Sequence, residues 1–233
     1  MRIALVGDGR MGRAVAERAR ERGHDVTAML GIDDNPDGTG IDRARLGEPD
    51  VAIEFTEPSS AVRNVVACAR AGIPVVVGTT GWYAELDAVT REVQAARGTM
   101  LWAPNFSIGV AIVTIAMEAA AAAVRRAGGF DAHLIETHHS AKKDQPSGTA
   151  IALADAAGTF LGRTIPITSV RTGHVPGTHE LVFDAPFEQV RLVHEARDRR
   201  VFADGAVVAA EWLRGRRGIY TMRDVVELTG DQR

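Results

Sequence analysis

The first hundred residues constrain the fold most tightly, because short, continuously apolar runs alternate there with segments of helical period. The apolar runs fall at 2–6, 26–30, 51–55, 75–77 and 99–102, and the helical patterns at 12–22, 60–71 and 84–97. Strands apolar on both sides must be covered on both sides, so helices flank a single parallel sheet. Right-handed crossovers then leave a doubly wound, Rossmann-type α/β sheet as the economical topology.

Beyond Pro104 the pattern changes. A long helix is expected over 109–127, a strand over 130–138 and a helix over 149–160. Strands at 165–171, 179–184 and 189–195 come next without intervening helices, punctuated by turns at Gly173, Pro176-Gly177 and Ala185-Pro186. This predicts a second α+β domain with a mostly antiparallel sheet. A sheet with too few helices to cover both faces invites another subunit onto the open one. Helices over 201–214 and 221–228, the latter opened by a Thr221/Asp224 capping box, are expected to return to the first domain. The expected division is thus 1–104, completed by about 203–233, and 105–202.

Composition narrows the function classes. Among 233 residues, a formal net charge of -3 offers no general attraction to nucleic acid. Cys68 is the single cysteine, which excludes an intrachain disulfide and a cysteine metal cluster. The apolar stretch 108–124 is interrupted by Thr114 and Glu118 and reads as a buried helix rather than a membrane span. A strand occupies the first six residues, where a signal peptide would otherwise lie. The expectation is a cytoplasmic protein without a membrane partner.

The first strand runs into Gly7-Asp8-Gly9-Arg10-Met11-Gly12. In a Gly-x-Gly-x-x-Gly turn the first glycine makes the tight bend, the second admits a pyrophosphate and the third lets helix pack on strand. Free amides at the helix start then face the phosphates. Past the second strand, Asp33 and Asp34 are placed to accept from ribose hydroxyls and to repel a 2'-phosphate. No Arg or Lys occurs between Arg22 and Arg43, so NADH is expected to be preferred, with NADPH as a further cofactor. An exposed turn is the competing reading of Asp33-Asp34-Asn35-Pro36. Phe55, Gly78-Thr79-Thr80 and Ala103-Pro104-Asn105-Phe106 end strands on the same sheet edge, where the nicotinamide end would lie.

The chemically richest segment is Glu136-Thr137-His138-His139-Ser140-Ala141-Lys142-Lys143-Asp144-Gln145-Pro146-Ser147-Gly148-Thr149-Ala150. Imidazole delivers protons near neutral pH, and a lysine stabilises a carboxylate or developing negative charge. Strand alternation sends His138 and His139 to different faces, so their roles should differ. Ser147-Gly148-Thr149 opens a helix and forms a small anion cup. A small dicarboxylate ligand fits this set, and a solvated loop with Ser147 as a simple N-cap is the competing reading. His133, His138 and His139 lack zinc-type spacing, so no metal is expected. From the residues, the chain pairs a nucleotide site with a site for a small acid carrying more than one carboxylate, or it is a nucleotide-binding regulator that has lost catalysis. His138 beside Lys142 argues against the regulator.

The sequence resembles the 4-hydroxy-tetrahydrodipicolinate reductase (dihydrodipicolinate reductase) family along its whole length. The resemblance is carried by the segment 136–150 together with Gly9-Arg10-Met11-Gly12, Gly78-Thr79-Thr80-Gly81, Asn105-Phe106-Ser107-x-Gly109-Val110, Arg171-x-Gly173, Gly177-x-His179 and Phe202-Ala203-Asp204-Gly205-Ala206. It implies His138 as catalytic proton donor and Lys142 as second catalytic residue. His139, Gly148 and Thr149 match substrate-carboxylate positions, and Ser147 shares their turn. It further implies NAD(P)H-dependent reduction of a cyclic imine dicarboxylate with loss of water, in lysine and diaminopimelate synthesis, by a cytoplasmic homotetramer assembled through the second-domain sheet. The chain departs from the family's usual pattern in its shorter glycine loop, in Asp34 where arginine often stands, and in Gln145 where alanine is usual.

Overall fold

A computed structural model describes residues 1–227. The chain begins with β1 (Arg2–Val6), α1 (Arg10–Glu21), β2 (Asp25–Leu30), β3 (Val51–Glu54), α2 (Pro58–Arg70), β4 (Val75–Val77), α3 (Leu86–Ala95) and β5 (Thr99–Trp102). Next come α4 (Ile108–Ala127), β6 (Asp131–His138), α5 (Gly148–Leu161), β7 (Ile167–Arg171), β8 (Thr178–Ala185) and β9 (Glu188–Glu195). The described chain closes with α6 (Arg200–Leu213), β10 (Gly218–Tyr220) and α7 (Met222–Val226). Two compact units result: Met1–Ser107 with the described residues from Arg200 onward, and Ile108–Arg199.

The first unit is a six-stranded parallel sheet in the order β10-β5-β4-β3-β1-β2. From β1 the chain turns one way to β2 and the other way to β3, so the strand order reverses at β1/β3, where an open α/β sheet forms its ligand crevice. The wholly apolar strands anticipated from the sequence are buried throughout: Val51, Ala52 and Ile53 on β3 and Val75, Val76 and Val77 on β4 are at most 1% exposed. One face packs Val65, Cys68, Val89 and Val93 from α2 and α3 onto Ala4, Val6, Ala52 and Val75. Helix α6 packs against α1, β3 and β4. A Cβ on Gly205 would stand 1.6 Å from the Phe106 carbonyl oxygen, so α6 needs glycine there. Strand β10 was not apparent in the sequence, because three residues, Gly-Ile-Tyr, are too few to show a period. The Thr221 amide donates to Asp224 at 2.7 Å, closing the anticipated capping box. Leu228 and the remainder of the anticipated C-terminal segment lie outside the described residues.

The second unit holds a four-stranded sheet in the order β7-β6-β8-β9, antiparallel except for the β6/β7 pair. Helices α4 and α5 cover one face, with Val113, Met117 and Ala121 packed among Leu134, Leu153, Leu181 and Phe183. Helix α4 is long and apolar enough to cross a membrane by length and composition. Its apolar stripe lies in this core and it carries the buried Glu118, so it serves as a core helix. The opposite sheet face leaves Val170 and Val193 exposed.

Candidate active site

In the first unit the glycine turn is built by close backbone approach. Gly7 has φ +110, and a Cβ there would stand 2.0 Å from the Phe55 carbonyl oxygen. A Cβ on Gly12 would stand 1.9 Å from the Gly7 carbonyl oxygen, which is the close helix–strand packing expected of the third glycine. Gly9 differs from both. Nothing beyond its chain neighbours and its own helix lies within 4 Å of where its Cβ would be, and as N-cap of α1 it offers no side-chain cap to the first-turn amides. Exposed Asp8 and Arg10 and half-buried Met11 surround this opening. The Asp8 carbonyl is engaged by Arg13 Nε at 2.8 Å, leaving the helix start to a ligand. A pyrophosphate fits this arrangement: uncapped amides, the positive end of a helix dipole and space at Gly9.

The other strand ends converge on the same edge. The Phe55 ring packs edge-on to Phe106 at 5.9 Å, and a Cβ on Gly78 would meet that ring at 2.1 Å. Gly78 is therefore required by Phe55 packing, whatever a ligand demands. Thr79 is buried: its hydroxyl accepts from the Thr56 amide at 2.7 Å, and its carbonyl accepts from Trp82 Nε1 at 2.8 Å. Thr80 and Pro104 are exposed, Ala103 is buried, and the Asn105 side chain accepts from the Ser107 amide at 2.8 Å.

At the acidic turn the two aspartates part company. Asp34 Oδ2 accepts from the Gly31 amide at 3.3 Å, whereas the exposed Asp33 carboxylate makes no such bond among the described residues and is the better placed to receive ribose hydroxyls. The expectation that no cation stands near this turn is corrected. Arg45 folds back and donates to the Asp34 carbonyl at 3.1 Å, a return that counting cations along the chain cannot see.

The segment 136–150 builds the site of the second unit. Glu136 and His138, two apart on β6, share its buried face, while His139 just past the strand is half-buried. Strand register adds partners: β7 sets Arg171 beside His138, and β8 sets His179 beside Glu136. The Glu136 carboxylate is fully buried and accepts from three directions: His138 Nδ1, Arg171 Nη2 at 2.6 Å and the Ser147 amide at 3.3 Å. Burial pushes this carboxyl up, but hydrogen bonds from Arg171, Ser169 and His138 outweigh it and hold it at about 2. Burial lowers the His138 imidazole, Glu136 partly restores it, and Lys142 and Arg171 lower it further. His179 is pushed down to about 4 by burial and by its histidine neighbours, so at neutral pH it adds no charge.

Lys142 Nζ is held by both oxygens of Asp144, at 2.8 and 2.9 Å. The Arg171 guanidinium also donates to the Asp144 carbonyl at 2.6 Å, tying the loop to the sheet. Ser147 is almost fully buried: its Oγ caps α5 by accepting from the Ala150 amide at 3.2 Å, which leaves the hydroxyl proton for His179 Nε2 at 3.3 Å. The anion cup therefore reduces to the backbone at exposed Gly148 and half-buried Thr149, with open space at Gly148. His133 is satisfied by Thr168 Oγ1 at 2.8 Å on the other face of β6. Gln145 is exposed and donates to the Ser169 carbonyl at 3.4 Å, on the rim. Ligand atoms of Glu136, His138 and His179 lie within 4.8 Å of one another, a spacing open to a metal ion, but the Arg171 guanidinium already competes for that carboxylate.

The sequence left Glu136, Arg171, His179 and Asp144 without roles. Strand alternation alone places Glu136 with His138. Arg171 and His179 join them only through strand register, which the sequence does not fix.

Residues 1–106 match the family model described as dihydrodipicolinate reductase, N-terminus, and residues 109–226 match its C-terminus counterpart. The chain belongs to the dihydrodipicolinate reductase family. It is 36% identical over 241 residues to 4-hydroxy-tetrahydrodipicolinate reductase of Christiangramia forsetii, covering 97% of this chain and 98% of that one. The Thiobacillus denitrificans enzyme of the same name is 35% identical over 267 residues, covering 98% and 99%. The fold is shared with a dipicolinate-bound dihydrodipicolinate reductase from Paenisporosarcina sp. TG-14. That pair has a TM-score of 0.83 at 22% identity over 97% of this chain and 99% of the other. Within this reductase family, the departure at Gln145 falls on the loop rim, outside the buried Glu136–His138–Arg171 cluster.

Proposed function

We propose that the protein is an NAD(P)H-dependent oxidoreductase that converts 4-hydroxy-tetrahydrodipicolinate to tetrahydrodipicolinate with loss of water, in lysine and diaminopimelate biosynthesis. The observation that carries this reading is that both halves of the family match in order along the chain. The gathering of the segment 136–150 around a buried imidazole supports it. When bound, the dihydronicotinamide supplies the hydride. In the first unit, Gly9 and the α1 amides hold the pyrophosphate and Asp33 receives the adenosine ribose. Asp33 favours NADH, and Arg45 beside it tempers the exclusion of NADPH.

In the second unit the ammonium of Lys142 and the α5 backbone at Gly148 and Thr149 bind substrate carboxylates, with His139 at their edge. Hydride addition at the ring carbon that bore the hydroxyl leaves an enamine, and His138 protonates the neighbouring carbon. Lys142 stabilises the negative charge while that proton moves. Ser147 contributes by shaping the cup rather than by its hydroxyl. The exposed Val170 and Val193 on the uncovered sheet face support a homotetramer assembled through the second-unit sheet. The absence of a thiol-based or nucleic-acid-binding feature in the sequence is in keeping with a cytoplasmic metabolic enzyme.

The test couples the purified protein to a dihydrodipicolinate synthase, which generates the unstable substrate, and monitors NADH and NADPH oxidation. Synthase-dependent oxidation of either cofactor is expected, and its absence with both overturns the reading.

A further inference from the structure

The cluster around His138 contains a device that a proton donor alone does not require. We propose that Glu136 is the positioning residue for His138: it holds a proton on Nδ1, so that the transferable proton is carried by Nε2, while Arg171 locks Glu136 in place. This role rests on His138 being the proton donor.

The geometry admits few alternatives. An ionised carboxylate only accepts hydrogen bonds, so the His138 nitrogen that meets Glu136 Oε2 must bear a hydrogen. Glu136 cannot turn away, because its other oxygen is held by Arg171 at 2.6 Å and by the Ser147 amide at 3.3 Å. A carboxylate without solvent exposure stays charged only where it is paired in this manner. Nε2 is then the nitrogen left for substrate. It faces Gly177, where a Cβ would stand 3.0 Å away, so glycine at that position avoids crowding the reactive nitrogen.

The charges around the ring give the arrangement its chemical sense. His138 faces Glu136 on its own strand, Lys142 on the loop, Arg171 on β7 and His179 on β8, and the carboxylate of Asp144 is occupied by Lys142. Two cations and burial favour the neutral ring, and Glu136 is the anion in direct contact with it. An arriving dicarboxylate adds negative charge and shifts the ring toward imidazolium, with the second proton entering at Nε2. The acid is thus armed by its own substrate, and Glu136 both orients the ring and supports the charged form. A positioning carboxylate that fixes a histidine tautomer is an established device in hydrolytic triads. Here the same logic serves an acid.

The test uses Glu136→Gln and Glu136→Asp in the full chain, with kcat against pH in the synthase-coupled assay. A proton donor must be protonated, so turnover falls as pH rises through its pKa in the substrate complex. Removing the anion lowers that pKa. Glu136→Gln should therefore move the alkaline limb of kcat to lower pH and reduce kcat by about 10²-fold or more. NADH affinity should be unchanged, and Glu136→Asp should bring the limb part-way back. A purely structural ion pair would lower the amount of active enzyme without moving the limb. An unmoved limb, or wild-type kcat in Glu136→Gln, overturns the proposal. Should that variant fail to fold, nitrogen-15 NMR of the wild-type imidazole, assigned by its loss in His138→Gln, decides the matter. Protonated Nδ1 with bare Nε2 in the free enzyme supports the proposal, and the opposite tautomer overturns it. Wild-type kcat in His138→Gln would sink the donor assignment itself. Loss of kcat there with a normal Glu136→Gln profile would sink only the role given to Glu136.

Discussion

In the first unit the groups that would receive a ligand are backbone amides and glycines, whereas the second unit sets charged side chains of β6, β7 and the loop after β6 beside the start of α5. Buried polarity divides in the same way. Glu54, at the end of β3, is fully buried and its carboxyl is pushed up by desolvation, with Thr56 and Asn64 bonding to it. Asn64 in turn accepts from Asn35 at 2.8 Å, and Asn35 accepts from the Gly40 amide at 2.9 Å. This chain of bonds pins the loop after β2 to the sheet edge through amide and hydroxyl partners. In the second unit Glu136 keeps its charge under similar burial, because Arg171, His138 and the Ser147 amide all donate to it. A dinucleotide is held by dipoles and shape, and proton transfer needs a charge that can be switched. Substitutions in the first unit should therefore act on cofactor affinity, and those in the second on turnover.

Three substitutions put this division at risk. Lys142→Ala removes the ammonium that Asp144 holds toward the site. A fall in kcat/KM of about 10²-fold or more is expected, with kcat itself reduced, because the charge acts in the transition state as well as in the bound complex. Steady-state kinetics in the coupled assay check it, and a change confined to KM would make Lys142 a binding residue only. Gly9→Val fills the open space before α1. It should weaken NADH binding by about 10- to 100-fold through lost charge-assisted hydrogen bonds, with kcat at saturating cofactor little changed. Fluorescence titration of NADH reads this directly, and unaltered affinity would place the pyrophosphate elsewhere. Arg45→Ala carries the smallest effect. The guanidinium is exposed, so its loss should lower kcat/KM for NADPH by about 2- to 5-fold and leave NADH unaffected. Equal changes with both cofactors would show that Arg45 merely supports the loop.

The two units also differ in how far their residues were legible from the sequence. The first five strands of the first unit's sheet and its turn at Gly7, Gly9 and Gly12 were readable because strand burial and glycine spacing are local signals, whereas β10 was too short to show one. In the second unit the segment 136–150 was legible as chemistry, and alternation separated His138 from His139. The partners of His138 were not legible, since Arg171 and His179 reach it through pairing of β6 with β7 and β8. Ser147 illustrates the limit of reading residue type: its hydroxyl looked available for a ligand, and the fold spends it on the α5 cap and His179. Arg45 is the converse case, a cation outside the local window that loop closure returns to the acidic turn.

The proposed function places turnover chemistry at His138 and cofactor binding elsewhere. The most direct test of that separation measures kcat and NADH affinity together in His138→Gln, using the coupled assay and fluorescence titration on one preparation. The expected result is a loss of about 10²- to 10⁴-fold in kcat with NADH affinity unchanged. Near-normal kcat, or a loss of NADH affinity that accounts for the lost activity, would contradict it.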